Sequence, residues 1–259
     1  MNELNDRFVA AVLRSDAAEV RDCLAPGVCV NSTNQGGWTA LHFACSCAKP
    51  DIVRLLIERG IEVHAQDSGG MTALHIAAMS GRPDIVRLLL DAGCGPDSRD
   101  QYGVTPLFLA ASCGNVDTVR QIMQAGARAD LTDDLGYTAI HWAASNRDSG
   151  ITGLLLHAGT PLHAVESEGM TSLHLAAIAR NTAVTRLLLQ AGIGVGQQNN
   201  RGLSALHLAV RSRDMPTTAL LLDAGASIHV QNVDGDTPHA LAEAHGGVEM
   251  RELISQAEE

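Results

Sequence analysis

Histidine is the residue type in this sequence with the clearest chemical potential, since an imidazole can bind a metal ion or transfer a proton near neutral pH. The chain of 259 residues contains eleven histidines. Five of them recur at intervals of 33 or 66 residues: His42, His75, His141, His174 and His207. Each follows a Thr or Ser by three residues, where an imidazole can hydrogen-bond the hydroxyl and the backbone as in a capping box. The spacing favours a structural role for this set.

A second set of histidines, His64, His163 and His229, shares another position of the same period. Equivalent residues of neighbouring packed helical units lie about 10 Å apart. Ligands that share a zinc ion lie about 2 Å from the metal. We therefore predict that neither set binds a metal ion, and we expect no cofactor.

The other reactive side chains are spaced just as evenly. Cys45 stands where other units have a small core residue, and Cys47 and Cys113 share one position two units apart, too far for a disulfide. The sequence predicts reduced thiols. Four acidic residues recur three positions before a glycine and are expected to stabilise turns: Asp67, Asp100, Asp133 and Glu166. Because the chain also lacks a GxSxG, P-loop or HExxH element, we predict that it is not an enzyme.

The periodicity behind these observations is 33 residues, without gap or insertion. Seven segments align: GWTALHFA from Gly37, GMTALHIA from Gly70, GVTPLFLA from Gly103, GYTAIHWA from Gly136, GMTSLHLA from Gly169, GLSALHLA from Gly202 and GDTPHALA from Gly235. The Thr or Ser after each glycine predicts the N-cap of a first helix, with proline directly after it at Pro106 and Pro238. Pro50, Pro83 and Pro216 are expected to open the second helices. Helices this short must stack on neighbouring units to be stable.

This pattern resembles the ankyrin repeat family, whose period and TPLHxA signature it shows over essentially the whole chain. The resemblance implies an all-α repeat solenoid of about eight stacked units, each with two antiparallel helices and a β-turn finger. Phe108 replaces the signature histidine in one unit. Gly153 interrupts a second helix, at a cost of about 1 kcal/mol relative to Ala.

The register predicts a single domain, residues 1–259, with polar capping repeats at both ends. The capping repeats are residues 3–33 and 232–259, and the full repeats are 34–66, 67–99, 100–132, 133–165, 166–198 and 199–231. The formal net charge of −11 argues against nucleic acid as a partner. No membrane span and no signal segment are predicted, so we expect a cytoplasmic protein, or a nuclear one if the source is eukaryotic.

The candidate binding residues are those that vary while the repeat frame stays fixed. In ankyrin repeats the position after the glycine is exposed on the finger, and here it carries Trp38, Met71, Val104, Tyr137, Met170 and Leu203. Tyr102 and Leu135 precede their glycines, and Met79, Ile178 and Arg211 are expected to face the same concave groove from the first helices. Large apolar side chains of this kind are typical of interfaces. The alternative is that neighbouring fingers bury them against one another, and Trp142 is expected to pack in the core.

These residues predict a non-catalytic protein–protein interaction module that binds through its concave finger and first-helix surface. The expected partner is another protein, through a segment with apolar anchors and some basic residues, and the chain alone is expected to be a monomer. An alternative is an inhibitor or effector of bacterial or phage origin that blocks or recruits a host or defence protein. A purely structural spacer would instead have polar fingers.

Overall fold

The computed structural model describes residues 3–24, 28–47, 49–146 and 148–257, with side chains from residue 6 onward. Sixteen α-helices, arranged as eight pairs, make up the regular structure of these residues. Beyond the helices, the described residues have two isolated antiparallel bridges, Gln66 with Thr72 and Gln198 with Ser204. The prediction of an all-α repeat fold is confirmed. None of the helices in the described ranges combines the length and the apolar character needed to cross a bilayer.

Backbone contacts divide the chain into two compact units, Met1–Arg128 (unit 1) and Ala129–Glu259 (unit 2). The helix pairs of unit 1 are α1 Glu3–Arg14 with α2 Ala17–Cys23, α3 Ala40–Ser46 with α4 Pro50–Glu58, α5 Ala73–Met79 with α6 Pro83–Asp91, and α7 Pro106–Cys113 with α8 Val116–Gln124. Those of unit 2 are α9 Ala139–Ala144 with α10 Ser149–His157, α11 Ser172–Ile178 with α12 Thr182–Gln190, α13 Ala205–Arg211 with α14 Met215–Asp223, and α15 Pro238–His245 with α16 Gly247–Gln256. One helix pair therefore falls in each predicted repeat. That residues 1–259 form a single domain stays a prediction.

The helix ends follow from the residues at the caps. From α3 onward the first helix of each pair begins after a Thr or Ser in extended conformation, and α4 and α6 begin at proline, as expected. In contrast, α14 begins at Met215, one residue before Pro216, because Asp214 caps it through a bond from the Thr217 amide. Behind α6, Gly93 adopts φ +90° and the amide of Cys94 returns to the carbonyl of Leu89 at 3.0 Å. This left-handed turn is the expected glycine C-cap.

The signature glycine is required by close approach as well as by backbone conformation. Gly70 has φ +81°, and a Cβ there would lie 2.8 Å from the backbone nitrogen of Gln101 in the next repeat. Any other residue would be strained and would push the two turns apart. The 33-residue recurrence of this glycine is therefore a packing constraint between neighbouring repeats.

Small residues let the first helices pack closely within each unit, where α3 contacts α5 and α5 contacts α7. The alanine shared by all seven signatures is at most 1% exposed: Ala44, Ala77, Ala110, Ala143, Ala176, Ala209 and Ala242. The second helices fill the core with branched side chains such as Ile52, Leu56, Ile85 and Leu89. Burying one such side chain contributes roughly 1.5–3 kcal/mol, which compensates for the weak stability of the short helices.

The core of unit 2 contains polar groups where that of unit 1 is apolar. At one position of the second helices, Thr152, Thr185 and Thr218 stand where unit 1 has Val53, Val86 and Val119, and all six are fully buried. The three hydroxyls have no hydrogen-bond partner among the described residues. A buried polar group without a partner costs about 1–3 kcal/mol. In α10 a Cβ at Gly153 would meet nothing within 4 Å, so the glycine weakens the same row of helices without a packing reason.

Replacing Thr185 by Val is expected to raise the free energy of unfolding of unit 2 by about 1 kcal/mol, because a methyl group fills the same space without an unpaired hydroxyl. Urea unfolding can be followed through Trp142 in a Trp38→Phe background. The reverse change in unit 1, Val86→Thr, followed through Trp38 in a Trp142→Phe background, should destabilise by a similar amount. A lower midpoint for Thr185→Val would show that the hydroxyl stabilises the fold.

Candidate functional site

The finger of each repeat is the turn that runs from three residues before the signature glycine to one residue after it. In the finger 100–104, Oδ1 of Asp100 accepts the amides of Tyr102 at 2.9 Å and Val104 at 2.8 Å. In the finger 133–137, Asp133 accepts those of Leu135 and Tyr137 at 3.0 and 2.9 Å. These carboxylates close the turns, which is the role expected from their spacing. They are not arranged as a general acid–base pair.

Backbone hydrogen bonds join neighbouring fingers within each unit. In unit 1 the Ser68 amide donates to Gly36 at 2.9 Å and the Gln101 amide donates to Gly69 at 2.8 Å. In unit 2 the Ser167 amide donates to Leu135 at 2.8 Å. The accepting residue always directly precedes the signature glycine. Each unit therefore presents its fingers as a connected row.

Two of the predicted binding residues are not exposed. Val104 is 9% exposed and Leu203 is 5% exposed. Their carbonyls accept the Nε2 hydrogens of His75 at 3.1 Å and His174 at 3.0 Å, so each residue lies against the helix of the preceding repeat. The expectation that the position after the glycine is exposed is wrong for these two, and we remove them from the candidate surface.

The other four residues at that position are half-buried: Trp38, Met71, Tyr137 and Met170. In unit 1, the indole of Trp38 contacts Phe43 at 5.1 Å between ring centroids and donates to Oδ2 of Asp67, in the next finger, at 3.0 Å. The large rings at this position therefore form the bases of the fingers. Part of the Trp38 side chain is therefore buried against the neighbouring finger, which is the alternative that the sequence left open.

In unit 2, Tyr137 and Trp142 make the corresponding aromatic pair, with centroids 6.3 Å apart. Trp142 is half-buried rather than in the core, because its indole lies at the finger and donates to Oδ2 of Asp133 at 3.3 Å. Burial raises the pKa of Tyr137, and its hydrogen bond to Glu166 and the nearby charges of Glu166, Asp133 and Glu168 raise it further. The field around this hydroxyl is therefore negative.

The exposed members of the predicted set lie on two features of the repeat. Tyr102 and Leu135, at the finger tips, are 63% and 60% exposed, and Met79 and Ile178, at the ends of first helices, are each 46% exposed. Arg211, which ends α13, is exposed as well. The structure thus supports exposure for these five residues of the set.

Three further exposed apolar residues were missed by the sequence reasoning: Leu13 and Val233, which lie on these features, and Val165, which lies directly before the finger 166–170. Leu13 precedes Met79 by 66 residues, two periods of the repeat, and so holds the same repeat position. Extending the 33-residue period toward the N-terminus would have identified it. The first repeat lacks the TxLH signature, which hid it. Val165 and Val233 lie at repeat positions that are polar in most other repeats, and only the structure shows their exposure.

The signature histidines hold the fingers in place. The Thr72 amide donates to Nδ1 of His75 at 3.0 Å, the Thr72 hydroxyl lies 2.8 Å from the same atom, and Nε2 lies 3.1 Å from the carbonyl of Val104. Because Nδ1 accepts the amide, the proton of the neutral ring is on Nε2, which donates to the carbonyl. His42, His174 and His207 repeat this geometry. His141 makes the cap contacts, but its Nε2 has no partner among the described residues.

The thiols are not organised for catalysis or metal binding. All six cysteines are free. Cys94 donates to the carbonyl of Val63 at 3.3 Å, and burial raises its pKa to about 12. Burial raises the pKa of Cys45 still more strongly. Within the described ranges, no three His, Cys, Asp or Glu side chains group closely enough to hold a metal ion.

A family model described as ankyrin repeats (3 copies) matches residues 8–100, 92–164 and 150–232. The chain belongs to the ankyrin repeat family. Ankyrin repeats are in general protein–protein interaction modules, and their fold is a known non-catalytic scaffold.

Curated relatives match a shorter segment. The ankyrin repeat, SAM and basic leucine zipper domain-containing protein 1 of Nomascus leucogenys is 37% identical over 59 residues, which is 23% of this chain and 12% of that protein. The protein of the same name from Oryctolagus cuniculus is 36% identical over the same length. The ankyrin repeat domain of human ASB11 matches by structure with a TM-score of 0.79 at 24% identity, over 86% of this chain and 99% of that chain. This likeness supports the fold.

The signature histidines predict that acid destabilises the protein. Burial lowers the pKa of all five below the ordinary value: His42, His75, His141, His174 and His207. Below about pH 6.5 the unfolded chain therefore binds more protons than the folded one. The stabilisation is complete above that pH and falls as the pH decreases, by up to about 1.4 kcal/mol per pH unit for each histidine.

We expect His75→Phe to reduce this pH slope, with Phe108 as the natural precedent for an apolar ring at the position. Urea unfolding between pH 7 and pH 5 measures the slope, and the same change at the exposed His64 is the control. A free energy of unfolding that stays level or rises as the pH falls through this window would contradict the assignment.

Proposed function

We propose that the chain binds a partner protein through the exposed side chains of its finger tips and first-helix ends, and that it catalyses no reaction. One observation carries the proposal. Of the eight exposed large hydrophobic side chains in the described part of the chain, six lie on these two features: Leu13, Met79, Tyr102, Leu135, Ile178 and Val233. The other two are Val165, directly before the finger 166–170, and Val248 in α16. Exposed apolar side chains that cluster on one feature of a fold mark an interaction surface.

The side chains around these residues support a partner segment that is both apolar and basic. In unit 2, Leu135 lies between Asp133 and Tyr137, and the hydroxyl of Tyr137 is surrounded by Asp133, Glu166 and Glu168. An apolar anchor beside Leu135 would bring a neighbouring Arg or Lys into this negative field. Opposite charge across an interface favours association and register.

The proposal that the chain is not an enzyme is supported by the functions that its reactive groups already have. The signature imidazoles cap helices and hold carbonyls, the finger carboxylates accept backbone amides, and burial raises the pKa values of Cys45 and Cys94. A catalytic group needs access to substrate and a pKa near the working pH. The reactive groups described above are committed to the fold.

The proposal can be tested with two double variants, Met79→Ser with Tyr102→Ser in unit 1 and Leu135→Ser with Ile178→Ser in unit 2. Peptides selected from a phage-displayed library against the purified protein should lose affinity at least tenfold for one or both variants, because truncating an apolar anchor costs more than about 1.4 kcal/mol. Affinity is measured by fluorescence anisotropy. The melting temperature should change little, since these side chains are exposed.

The matched control is Val248→Ser, which removes an equally exposed apolar side chain outside the surface and should leave affinity unchanged. Selected peptides that bound all three variants as tightly as the parent would locate binding elsewhere. Selected peptides without apolar or basic residues would contradict the proposed partner chemistry.

A further inference from the structure

A row of arginines crosses the second helices of unit 1. Arg21 in α2, Arg54 in α4, Arg87 in α6 and Arg120 in α8 hold one repeat position, 33 residues apart. All four side chains are exposed. The ion pairs of the described residues join other arginines, namely Arg7, Arg14 and Arg82. The row therefore presents guanidinium groups whose donors are available to a ligand.

Three of these arginines line a groove. Arg54, Arg87 and Arg120 border a shallow cavity of about 610 Å³ on α4, α6 and α8. Its wall also includes Pro50 and Leu88, and the carboxylates of Asp84 and Asp117 line the same groove. The groove therefore offers cationic groups beside apolar surface and carboxylates, a combination that suits a peptide better than a small ion.

Acidic residues run alongside the row and restrict what can bind. Asp51, Asp84 and Asp117 precede the arginines by three residues, one helical turn away. Asp84 is engaged by Arg82 at 2.8 Å. A broad polyanion, such as a nucleic-acid duplex, would cover both rows and be repelled by the carboxylates. A narrow chain can follow the arginines alone.

We propose that unit 1 binds an extended acidic segment of a protein along this row, with one carboxylate on each guanidinium. Neighbouring packed helices lie about 10 Å apart. A polyproline II segment rises about 3.1 Å per residue with three residues per turn, so every third side chain returns to the same side after about 9 Å. An acidic residue at every third position therefore matches the row. A segment already in this conformation loses little entropy on binding.

Unit 2 contains the matched comparison. At the same repeat position it has Gly153, Arg186 and Ala219, so the row is interrupted on both sides of a single arginine. The proposed site is thus specific to unit 1. It lies on second helices, whereas the surface proposed above for the partner protein (the finger surface) lies on finger tips and first-helix ends. The two surfaces can therefore be tested separately.

The probe is a fluorescein-labelled peptide with four Glu-Pro-Pro repeats, and the control peptide has the same composition with its glutamates adjacent. Anisotropy at low ionic strength should show binding of the first peptide that weakens as salt is added. Replacing Arg54, Arg87 and Arg120 together by Gln, which retains most of the side-chain length, should weaken binding about tenfold. Arg186→Gln should have no effect.

Equal binding of both peptides, or an unchanged affinity in the triple variant, would overturn the proposal. So would a DNA duplex that displaced the peptide at lower concentration than unlabelled peptide does. Circular dichroism checks that the triple variant is folded. The single variant Arg87→Glu gives a second, independent measurement of how much the arginine row contributes to peptide affinity. Peptides selected on the finger surface should still bind the triple variant, so failure of this proposal is distinguishable from failure of the proposed function.

Discussion

The signature imidazole, held between a helix cap and a carbonyl of the next repeat, is the contact on which the rest of the structure depends. His75 accepts the amide of Thr72 and donates to the carbonyl of Val104, 29 residues further along the chain. One neutral ring thus begins a helix and fixes where the following finger ends. Because the neighbouring finger is fixed in the same way, the backbone bonds between fingers can form, and the residues before the glycines are held in a row. The exposure of Tyr102 follows from this arrangement, since the backbone on both sides of this tip is already engaged.

The same frame tolerates different cores in the two units. The first helices use alanine throughout, but the second helices of unit 1 bury valine where those of unit 2 bury threonine. A buried hydroxyl without a partner leaves the geometry of the stack unchanged and lowers only its stability. At this position unit 2 therefore keeps the fold of unit 1 with three buried hydroxyls that have no partner among the described residues. In a stack whose repeats contact only their neighbours, such a difference stays local.

Most of the fold could be predicted from the sequence because its determinants are local and periodic: a cap, a proline, a C-terminal glycine and an imidazole at fixed offsets. The candidate surface could be predicted only in part. Trp38 and Val104 hold the same repeat position, yet the indole of Trp38 is half-buried and reaches Asp67 in the next finger, whereas Val104 is buried. Burial at this position varies from repeat to repeat, and the repeat signature does not encode it. Leu13 was missed for the opposite reason, since its repeat lacks the signature that marks the register.

The residues of the two proposed surfaces are exposed, whereas the signature histidines and alanines that define the repeat are buried. His75 and Ala77 contact the neighbouring repeat, so a change at either alters the stack. Met79, at the end of the same helix, and Arg87, on the following helix, are exposed, and a change at either alters only what the surface offers to a partner. Positions of this second kind recur in every repeat, on the fingers and first-helix ends and again on the second helices. One chain can therefore present apolar side chains in a negative field on one set of elements and cationic side chains on another, because the side chains concerned are exposed rather than part of the buried core.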